Sequence, residues 1–527
     1  MEWFDNGWGI ALTVFLPLVG AVVLLAIPRA QEAALKWTAL IFSGAAFVSG
    51  LALLFRFDFS RTGDLQLGAN LNWIEAINAR YHVGVDGISL PLVVLSVFIT
   101  VLVVLYSWNH WPEPHNPKML LALIMVIAVG MTGTFVALDL VLFFVFFEVV
   151  LLPMYFMIGI WGDRGVRHVP LFNWNIEMRL YASLKFFVFT LFGSAFMLLG
   201  FLALYFRSGD FLDHRTFDML ELAQLGSAGR FAGSFAFWVF FALFLGFAVK
   251  VPMWPLHTWL PDAHTAAPTI GSVILAAILL KLGTYAFIRI SIPILPQEAK
   301  NWAWLIGVLA VIGIIYGSLA CLAQTDMKRL IAYSSVGHMG FVMLGIATLT
   351  SIGINAAIIG MVAHGLITGL LFFLAGSMAH RYHTRDMGRL GGNMKLMPVM
   401  GVLLGFAAMA SLGLPALAGF WGEFMALMAS FNPLAGLDPT LFRGLMIAGA
   451  IGTVLTAGYM LWMLRSVNFG EPSDEWVGHD FHDVDAWEWL AWAPLVIATI
   501  AVGIYPRIVL GFTNDAVAQL VTRAFGG

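Results

Sequence analysis

Apolar stretches of about 20 residues recur along the chain from Trp8 to Leu510, and each is long enough to cross the roughly 30 Å hydrocarbon layer of a bilayer as a helix. Hydrophobic residues make up 60% of the 527 residues and charged residues only 11%, whereas a soluble domain is roughly 45–50% apolar. The sequence therefore predicts an all-α polytopic membrane protein with about 14 transmembrane helices.

The distribution of basic residues among the short loops predicts the orientation of these helices. The loops that carry Lys328 and the segment from Arg381 to Lys395 contribute most of the Lys/Arg bias. Short basic loops stay on the cytoplasmic side of a membrane. Both termini are therefore expected on the opposite, outward side.

Several classes of function are excluded by what the sequence lacks. A net charge of −3 without any basic run argues against binding of nucleic acid. Neither a glycine-rich phosphate loop nor a G-x-S-x-G elbow occurs, so an ATP site and a hydrolase are not predicted. Cys321 is the single cysteine, which leaves no thiolate zinc site and no four-cysteine iron–sulfur site.

Two polar clusters contain groups that bind metals, but in both a simpler interpretation is favoured. In the segment 471–488 histidines alternate with aspartates, a pattern typical of a solvated acidic loop. His257 and His264 bracket Asp262, where helix capping or water binding is expected. No metal site is therefore predicted.

Three charged residues lie inside apolar spans and are the most informative part of the sequence. Glu148 lies in LVLFFVFFEVVLLPMYFMIGIW, Lys250 ends SFAFWVFFALFLGFAVK, and Lys281 interrupts GSVILAAILLKLGTYAF. A charge at the centre of a bilayer costs at least about 2.5–3.5 kcal/mol, so each needs a partner, water or neutralisation. One interpretation is a structural ion pair between Glu148 and Lys250. Proton transfer is favoured, because the proton affinity of a buried lysine changes when a partner carboxylate moves.

Two spans are interrupted beside such charges. The segment 250–256 contains two prolines after Lys250, and in the segment 411–419 Gly413 and Pro415 interrupt the helix before Glu423. Proline removes a backbone donor and frees carbonyls, which a membrane tolerates only beside protein or a watery cavity. Interrupted helices in corresponding halves of a chain are typical of transporter repeats and their binding sites.

Two histidines lie between the interruptions, His338 in SSVGHMGF and His364 in GMVAHGLITG. Imidazole is suited to proton relay near neutral pH, and a structural hydrogen bond to a carbonyl is the alternative for each. Lys185, near the end of a span, either belongs to the same site or extends its ammonium to the interface.

Four blocks carry a resemblance to a known family: AVKVPMWPLHTWLPDAHTAAPTIGSVILAAILLKLGTY, QTDMKRLIAYSSVGHMGFVMLGI, AHGLITGLLFFLAGSMAHRYHTRDMGRLGG and GFWGEF. From about Asp86 to Arg465 the chain resembles the antiporter-like membrane subunits of respiratory complex I. The long loop 164–179 and the acidic segment 471–488 depart from the family pattern. The resemblance implies two inverted five-helix repeats, each with a discontinuous helix.

The implied organisation divides the chain into four parts. Residues 1–117 hold three N-terminal helices, 118–290 the first inverted repeat, 291–467 the second, and 468–527 an inward acidic loop with the last helix. The resemblance also assigns a proton relay to Glu148, Lys250, Lys281, His338, His364 and Glu423. Two of the three sister subunits carry lysine where this chain has Glu423.

The function implied is proton translocation driven by electron transfer from NADH to quinone. NADH, FMN, iron–sulfur clusters and quinone are expected in partner subunits and no cofactor in this chain. Other membrane subunits, including two sister antiporter-like subunits, are the expected partners in a bacterial cytoplasmic membrane, which is favoured over the mitochondrial inner membrane. The alternatives are a subunit of an Mrp-type cation/proton antiporter and an inert scaffold between pumps.

Overall fold

The computed structural model describes residues 4–169 and 174–526, and within them the framework is a set of membrane-length helices. In chain order the helices are α1 (Phe4–Ala26), α2 (Glu32–Arg56), α3 (Leu90–Tyr106), α4 (Pro117–Val136), α5 (Leu140–Trp161), α6 (Met178–Ser208), α7 (Met219–Ser227), α8 (Gly233–Lys250), α9 (Trp259–Ala266), α10 (Thr269–Ile294), α11 (Pro296–Leu322), α12 (Met327–Ala347), α13 (Ser351–Tyr382), α14 (Pro398–Ser411), α15 (Ala418–Phe431), α16 (Pro439–Val467), α17 (Ala486–Ile504) and α18 (Arg507–Phe525). Short helical turns also occur at Phe59–Arg61, Glu75–Ile77, Asn393–Leu396 and Asp474–Trp476.

The prediction of an all-α polytopic membrane protein is confirmed. In the described part of the chain, 12 helices are at least 18 residues long and apolar enough to cross a membrane. The shorter apolar helices α3 and α14 occupy two more of the predicted spans. The two predicted interruptions are also present: the chain leaves helical structure after Lys250 until Trp259, and again after Ser411 until Ala418.

Both faces of the bundle carry a β-hairpin that the apolar pattern does not reveal. On the face that the loop charges predict to be outward, called the outward face below, β1 (Gln66–Ile74) pairs antiparallel with β2 (Ala79–Val85); the opposite face is called inward. On the inward face β3 (Val166–Val169) pairs antiparallel with β4 (Trp174–Glu177). The long loop 164–179, which departs from the family pattern, therefore consists largely of this second pair of strands. Residues 170–173 lie outside the described part of the chain.

The C-terminal helix α18 lies along the outward face instead of crossing the bundle. Thr513 of α18 donates a hydrogen bond of 2.5 Å from Oγ1 to Oδ1 of Asn355, near the start of α13. The Cβ of a residue at Gly87 would lie 2.0 Å from the carbonyl oxygen of Phe512, so α18 also packs closely against the segment that precedes α3. This helix thereby ties the ends of several spans together.

The centre of the bundle is formed by α10, α12 and α13. All 18 residues in the most apolar window of α10 are buried, as are 89% and 94% of those of α12 and α13. By contrast, only a third of the corresponding windows of α2 and α16 are buried. A helix that is apolar all round belongs in the interior. Polar side chains on α10, α12 and α13 are therefore removed from both water and lipid.

Candidate functional site

Glu148 and Lys250 lie at one end of the candidate site, on α5 and α8. The hydroxyl of Ser194, on α6, donates a short hydrogen bond to Oε1 of Glu148. The ammonium of Lys250 lies 4.6 Å from the centre of the Phe147 ring, a cation–π contact. In the described part of the chain no ion pair within 4.0 Å joins the two charges, although they attract each other. Glu148 and Lys250 are therefore neighbours without a direct salt bridge.

Gly283 brings α10 against α8 beside Lys250. A Cβ at Gly283 would lie 2.8 Å from the carbonyl oxygen of Phe247 and 3.1 Å from Cβ of Lys250. Real Cβ atoms essentially never approach another atom within 3.0 Å, so a larger residue would push the helices apart. Glycine thus places the turn that carries Lys281 in direct contact with the end of α8.

Lys281 is fully buried in α10 and makes two polar contacts. Its ammonium donates a short hydrogen bond to the carbonyl oxygen of Ala276, within the π-helical turn Leu275–Leu279. A π-helical turn inserts one residue into the helix and occurs frequently at functional sites. The second contact is to Nδ1 of His364 on α13, at 2.6 Å. When the Lys281 ammonium donates this hydrogen bond, a neutral His364 ring carries its proton on Nε2.

Glu423 and His338 form the other end of the site. Nδ1 of His338 lies 2.8 Å from Oε1 of Glu423, and its Nε2 lies 3.0 Å from Oγ of Ser411. Ser411 ends α14 and Glu423 lies in α15, so the broken helix holds both partners of the histidine. Glu423 is 8% exposed, and its Oε2 has no hydrogen-bond partner among the described residues.

A small cavity joins the two pairs. It has a volume of about 30 Å³, and its lining includes His338, His364, Ser411 and Glu423. The rings of the two histidines are 5.8 Å apart, centre to centre. Nε2 of His364 is buried without a partner in the described structure. A cavity of this size with several polar groups is large enough to hold a water molecule, which would connect the rings.

Four of the six predicted residues, Lys281, His364, His338 and Glu423, therefore form one series of polar contacts, and the other two, Glu148 and Lys250, are neighbours on adjoining helices. Lys281 to Glu423 is a sequence of hydrogen bonds interrupted only by the cavity, while Glu148 and Lys250 lie beyond the contact at Gly283. Two hydroxyl partners, Ser194 and Ser411, were not predicted. An isolated serine in an apolar span is usually bonded to its own helix, so the sequence contains no signal that distinguishes them.

Lys328 is a third residue that the sequence does not reveal as part of the interior, because its position beside a loop predicts a solvated side chain. It is 4% exposed, and its ammonium donates a short hydrogen bond to the carbonyl oxygen of Ala267. It lines a cavity of about 250 Å³ that shares Asp163 and Arg385 with an inward-facing cavity of about 570 Å³. Together these two cavities, here called the inward vestibule, reach from the inward face to the start of α10.

His264 is fully buried between the inward vestibule and Lys281. It stacks on Phe372, with ring centres 4.7 Å apart, and neither ring nitrogen has a partner in the described structure. Both Lys281 and Lys328 lie within electrostatic reach of it. Buried polar groups are normally hydrogen-bonded, so His264 is an exception among the polar groups near the relay.

Lys185 neither joins the relay nor extends freely to the interface. Its ammonium forms an ion pair of 2.8 Å with Asp262, which also receives Arg167 at 2.6 Å. His257 contacts the ring of Tyr316 edge-on, 4.9 Å between centres. Arg329 lies 3.8 Å from the same carboxylate, so Asp262 pairs with three cations on the inward face.

Most of the acidic segment 471–488 is exposed or half-buried, as expected of a solvated loop, but its last residue is buried in the bundle. Glu488 is fully buried and receives both terminal nitrogens of Arg381, at 2.7 and 2.8 Å. His110, Asp485 and Glu488 bring possible metal ligands within 4.8 Å of one another. Arg381 already neutralises Glu488 through its two hydrogen bonds, so an ion pair stands where a metal ion would otherwise bind. Basic residues of the preceding inward loop attract this acidic segment, which explains why it lies against the bundle.

Known proteins match this chain along nearly its whole length. A family model described as NADH:quinone oxidoreductase/Mrp antiporter, TM, matches residues 137–456, and one described as NADH-ubiquinone oxidoreductase chain 4, amino terminus, matches residues 65–134. The chain is 39% identical to NADH-quinone oxidoreductase subunit M of Rhodobacter capsulatus over 520 residues, which cover 97% of this chain and 96% of the relative.

Two solved assemblies contain chains of similar fold. A chain of respiratory complex I from Thermus thermophilus with bound NADH has a TM-score of 0.83 at 28% identity, with 98% of this chain and 99% of that chain covered. A chain of the Mrp complex from a Dietzia species has a TM-score of 0.81 at 20% identity, with 98% of each chain covered. The second likeness is one of fold alone.

Proposed function

The chain belongs to the NADH:quinone oxidoreductase/Mrp antiporter family of membrane proteins, and we propose that it moves protons along the line from Glu148 to Glu423. Within that family it is a proton-translocating membrane subunit of an NADH:quinone oxidoreductase complex. The observation that carries the proposed route is the contact series Lys281, His364, cavity, His338 and Glu423.

The first step of the proposed mechanism is a change in the attraction between Glu148 and Lys250. In this structure the Lys250 ammonium contacts the Phe147 ring. The ring attracts it more weakly than a carboxylate in direct contact would. A small movement of α5 relative to α8 therefore changes how strongly Lys250 holds its proton. Electron transfer elsewhere in the complex would supply that movement.

The following steps pass a proton from Lys281 to Glu423. Lys281 donates to Nδ1 of His364, whose Nε2 faces the cavity without a protein partner. A proton then passes from Nε2 of His364 through water and the Ser411 hydroxyl to Nε2 of His338, and the proton on Nδ1 of His338 passes to Oε1 of Glu423; this needs no large movement of the backbone. The inward vestibule, with Lys328 and His264 on the way to Lys281, supplies the proton from the inward side.

The energy required is within reach of these local changes. Moving one charge against 100 mV costs about 2.3 kcal/mol. A difference of one pKa unit corresponds to about 1.36 kcal/mol. A change of about two units in the pKa of one lysine therefore supplies enough free energy to move one proton against this potential.

Partners, cofactors and location follow from the same proposal. NADH, FMN, iron–sulfur clusters and quinone belong to partner subunits, and this chain has no redox centre of its own. Leu414, Pro415 and Ala416 form the exposed side of the second helix break, and irregular backbone at membrane depth is not exposed to lipid. A neighbouring membrane subunit, one of two antiporter-like sisters, is proposed to cover it in a bacterial cytoplasmic membrane.

The domain organisation is part of the proposal. Residues 118–290 and 291–467 form the two inverted repeats, and each contains one of the broken helices described above. Residues 1–117 and 468–527 flank them. The relay crosses from the first repeat to the second where Lys281 meets His364.

The test is proton transport by the assembled enzyme in liposomes. NADH and quinone are supplied, and internal pH and internal sodium are followed with separate dyes. We expect NADH-dependent proton transport that is independent of sodium and is lowered at least about tenfold by Glu423→Gln, the effect typical of a lost proton carrier. Glu221→Gln, on the outward helix α7, is the matched control. Transport that requires sodium favours the Mrp-type alternative, and unchanged transport in Glu423→Gln contradicts the relay.

A further inference from the structure

A large apolar groove opens in the outward half of the bundle, away from the proton relay. It has a volume of about 710 Å³, within the roughly 300–1,000 Å³ of typical small-molecule sites. Helices α2, α3, α13, α17 and α18 contribute to it, and its lining includes Phe47, Leu51, Phe98 and Val502. Phe47, Leu51 and Phe98 are only partly buried by the protein, so the groove is accessible from its side.

The groove spans the depth of one leaflet of the bilayer. Leu54, which also lines it, lies near the outward end of α2, and Phe47 lies seven residues deeper in the same helix. At 1.5 Å per residue this corresponds to a depth of about 10 Å. Half of the hydrocarbon layer is about 15 Å thick. The lining therefore faces the acyl chains of the outward leaflet.

The rim of the groove carries one charge of each sign. Arg507 begins α18 and Asp515 follows eight residues later, which is about 12 Å along the helix. Both side chains are exposed, and neither forms an ion pair within the described structure. Tyr505 lies beside them at the same rim. An arginine at this level is suited to bind a phosphate, and an aspartate is suited to bind an amine.

We propose that this groove binds one zwitterionic aminophospholipid of the outward leaflet. An acyl chain occupies the apolar groove, the phosphate contacts Arg507, and the headgroup amine lies toward Asp515. The two opposite charges distinguish this ligand from an anionic lipid, whose net charge Asp515 would repel. The proposal depends on the membrane-spanning fold and is independent of proton transfer.

Binding is tested by native mass spectrometry of the delipidated, purified full-length chain, titrated with dioleoylphosphatidylethanolamine. We expect Arg507→Gln to weaken binding at least fivefold, and Ala498→Phe, which fills the groove from α17, to do the same. Arg523→Gln, on the same helix but outside the groove, is the control. Equal binding by all variants would overturn the proposal, and so would stronger binding of dioleoylphosphatidylglycerol by the unmodified chain.

A second measurement distinguishes lipid from protein as the occupant. A photo-crosslinking amino acid is placed at Ala498 in the assembled complex within its native membrane. Cross-linking to phospholipid supports the proposal. Cross-linking to a neighbouring polypeptide in place of lipid shows that the groove is a subunit interface and overturns it.

Discussion

Lys281 and His364 are 2.6 Å apart, from Nζ to Nδ1, on two helices whose interiors are almost completely buried. An amine and an imidazole at this distance are close enough to exchange a proton directly. The contact also joins the two proposed repeats, 118–290 and 291–467. It is therefore the point at which the relay is most easily interrupted.

Removing the lysine at this contact is expected to stop the relay. Lys281→Ala deletes a proton carrier and leaves Nδ1 of His364 without its donor, so NADH-driven proton transport should fall at least about tenfold. The measurement is the initial rate of acidification in proteoliposomes that contain the assembled enzyme. Lys300→Ala, near the outward start of α11, is the control. Transport at the control rate in Lys281→Ala would show that protons take another route.

The close approach of α8 and α10 is expected to depend on Gly283. Gly283→Ala places a Cβ 2.8 Å from the carbonyl oxygen of Phe247, and overpacking of this kind costs about 1–3 kcal/mol. We expect lower thermal stability together with slower proton transport, because the helices that carry Lys250 and Lys281 are forced apart. Gly458→Ala is the control, since a Cβ there meets nothing within 4 Å. Equal behaviour of both variants would show that the contact is loose.

The Arg381–Glu488 pair is expected to stabilise the inward face only as a pair. Glu488 is fully buried, and removing one partner of a buried pair costs about 3–5 kcal/mol. Arg381→Gln should therefore lower the unfolding temperature strongly, and adding Glu488→Gln should restore part of it. Lys395→Gln breaks an exposed pair and should cost less than about 1 kcal/mol. If the double variant were as unstable as Arg381→Gln, the uncompensated charge of Glu488 would not be the cause of the lost stability.

Asp163 gives the inward vestibule a defined pH dependence. Burial opposes its ionisation, but the hydrogen bond from the Gly165 N–H and the charge of Arg385 outweigh burial, so its pKa lies below the ordinary value of 3.8. Its ionised form therefore stabilises the fold at any pH above that value, and the contribution is lost as the pH falls through the lowered pKa. We expect Asp163→Asn to lower the unfolding temperature at pH 7, and this difference to shrink below about pH 4. A difference that is constant with pH would contradict a role for the charge.

Much of the fold could be predicted because its signals are local. Apolar length gives the spans, and prolines or glycines beside Lys250 and Glu423 give the two broken helices. The cost of burying charge in a membrane made Glu148, Lys250 and Lys281 candidates for a proton relay without knowledge of their neighbours. Such features depend on a residue and its immediate sequence.

The remaining features depend on contacts between distant parts of the chain. In the sequence nothing distinguishes three partners of the site from ordinary apolar or hydroxyl residues: Phe147, which contacts Lys250, Ser194, which binds Glu148, and Ser411, which binds His338. Lys328 was misplaced because a basic residue near a loop is usually solvated, whereas here it follows Asp326 into α12 and reaches the carbonyl of Ala267. Only the packing of helices distinguishes these residues.

Lys250→Ala in the assembled enzyme is the most direct test of proton transfer along this line. The measurement compares NADH-driven proton transport in proteoliposomes with the subunit composition and with the rate of NADH oxidation by a soluble acceptor. We expect all subunits and the soluble-acceptor rate to be retained while proton transport falls at least about tenfold. Proton transport at the unmodified rate in a fully assembled Lys250→Ala enzyme would contradict a relay through these buried charges.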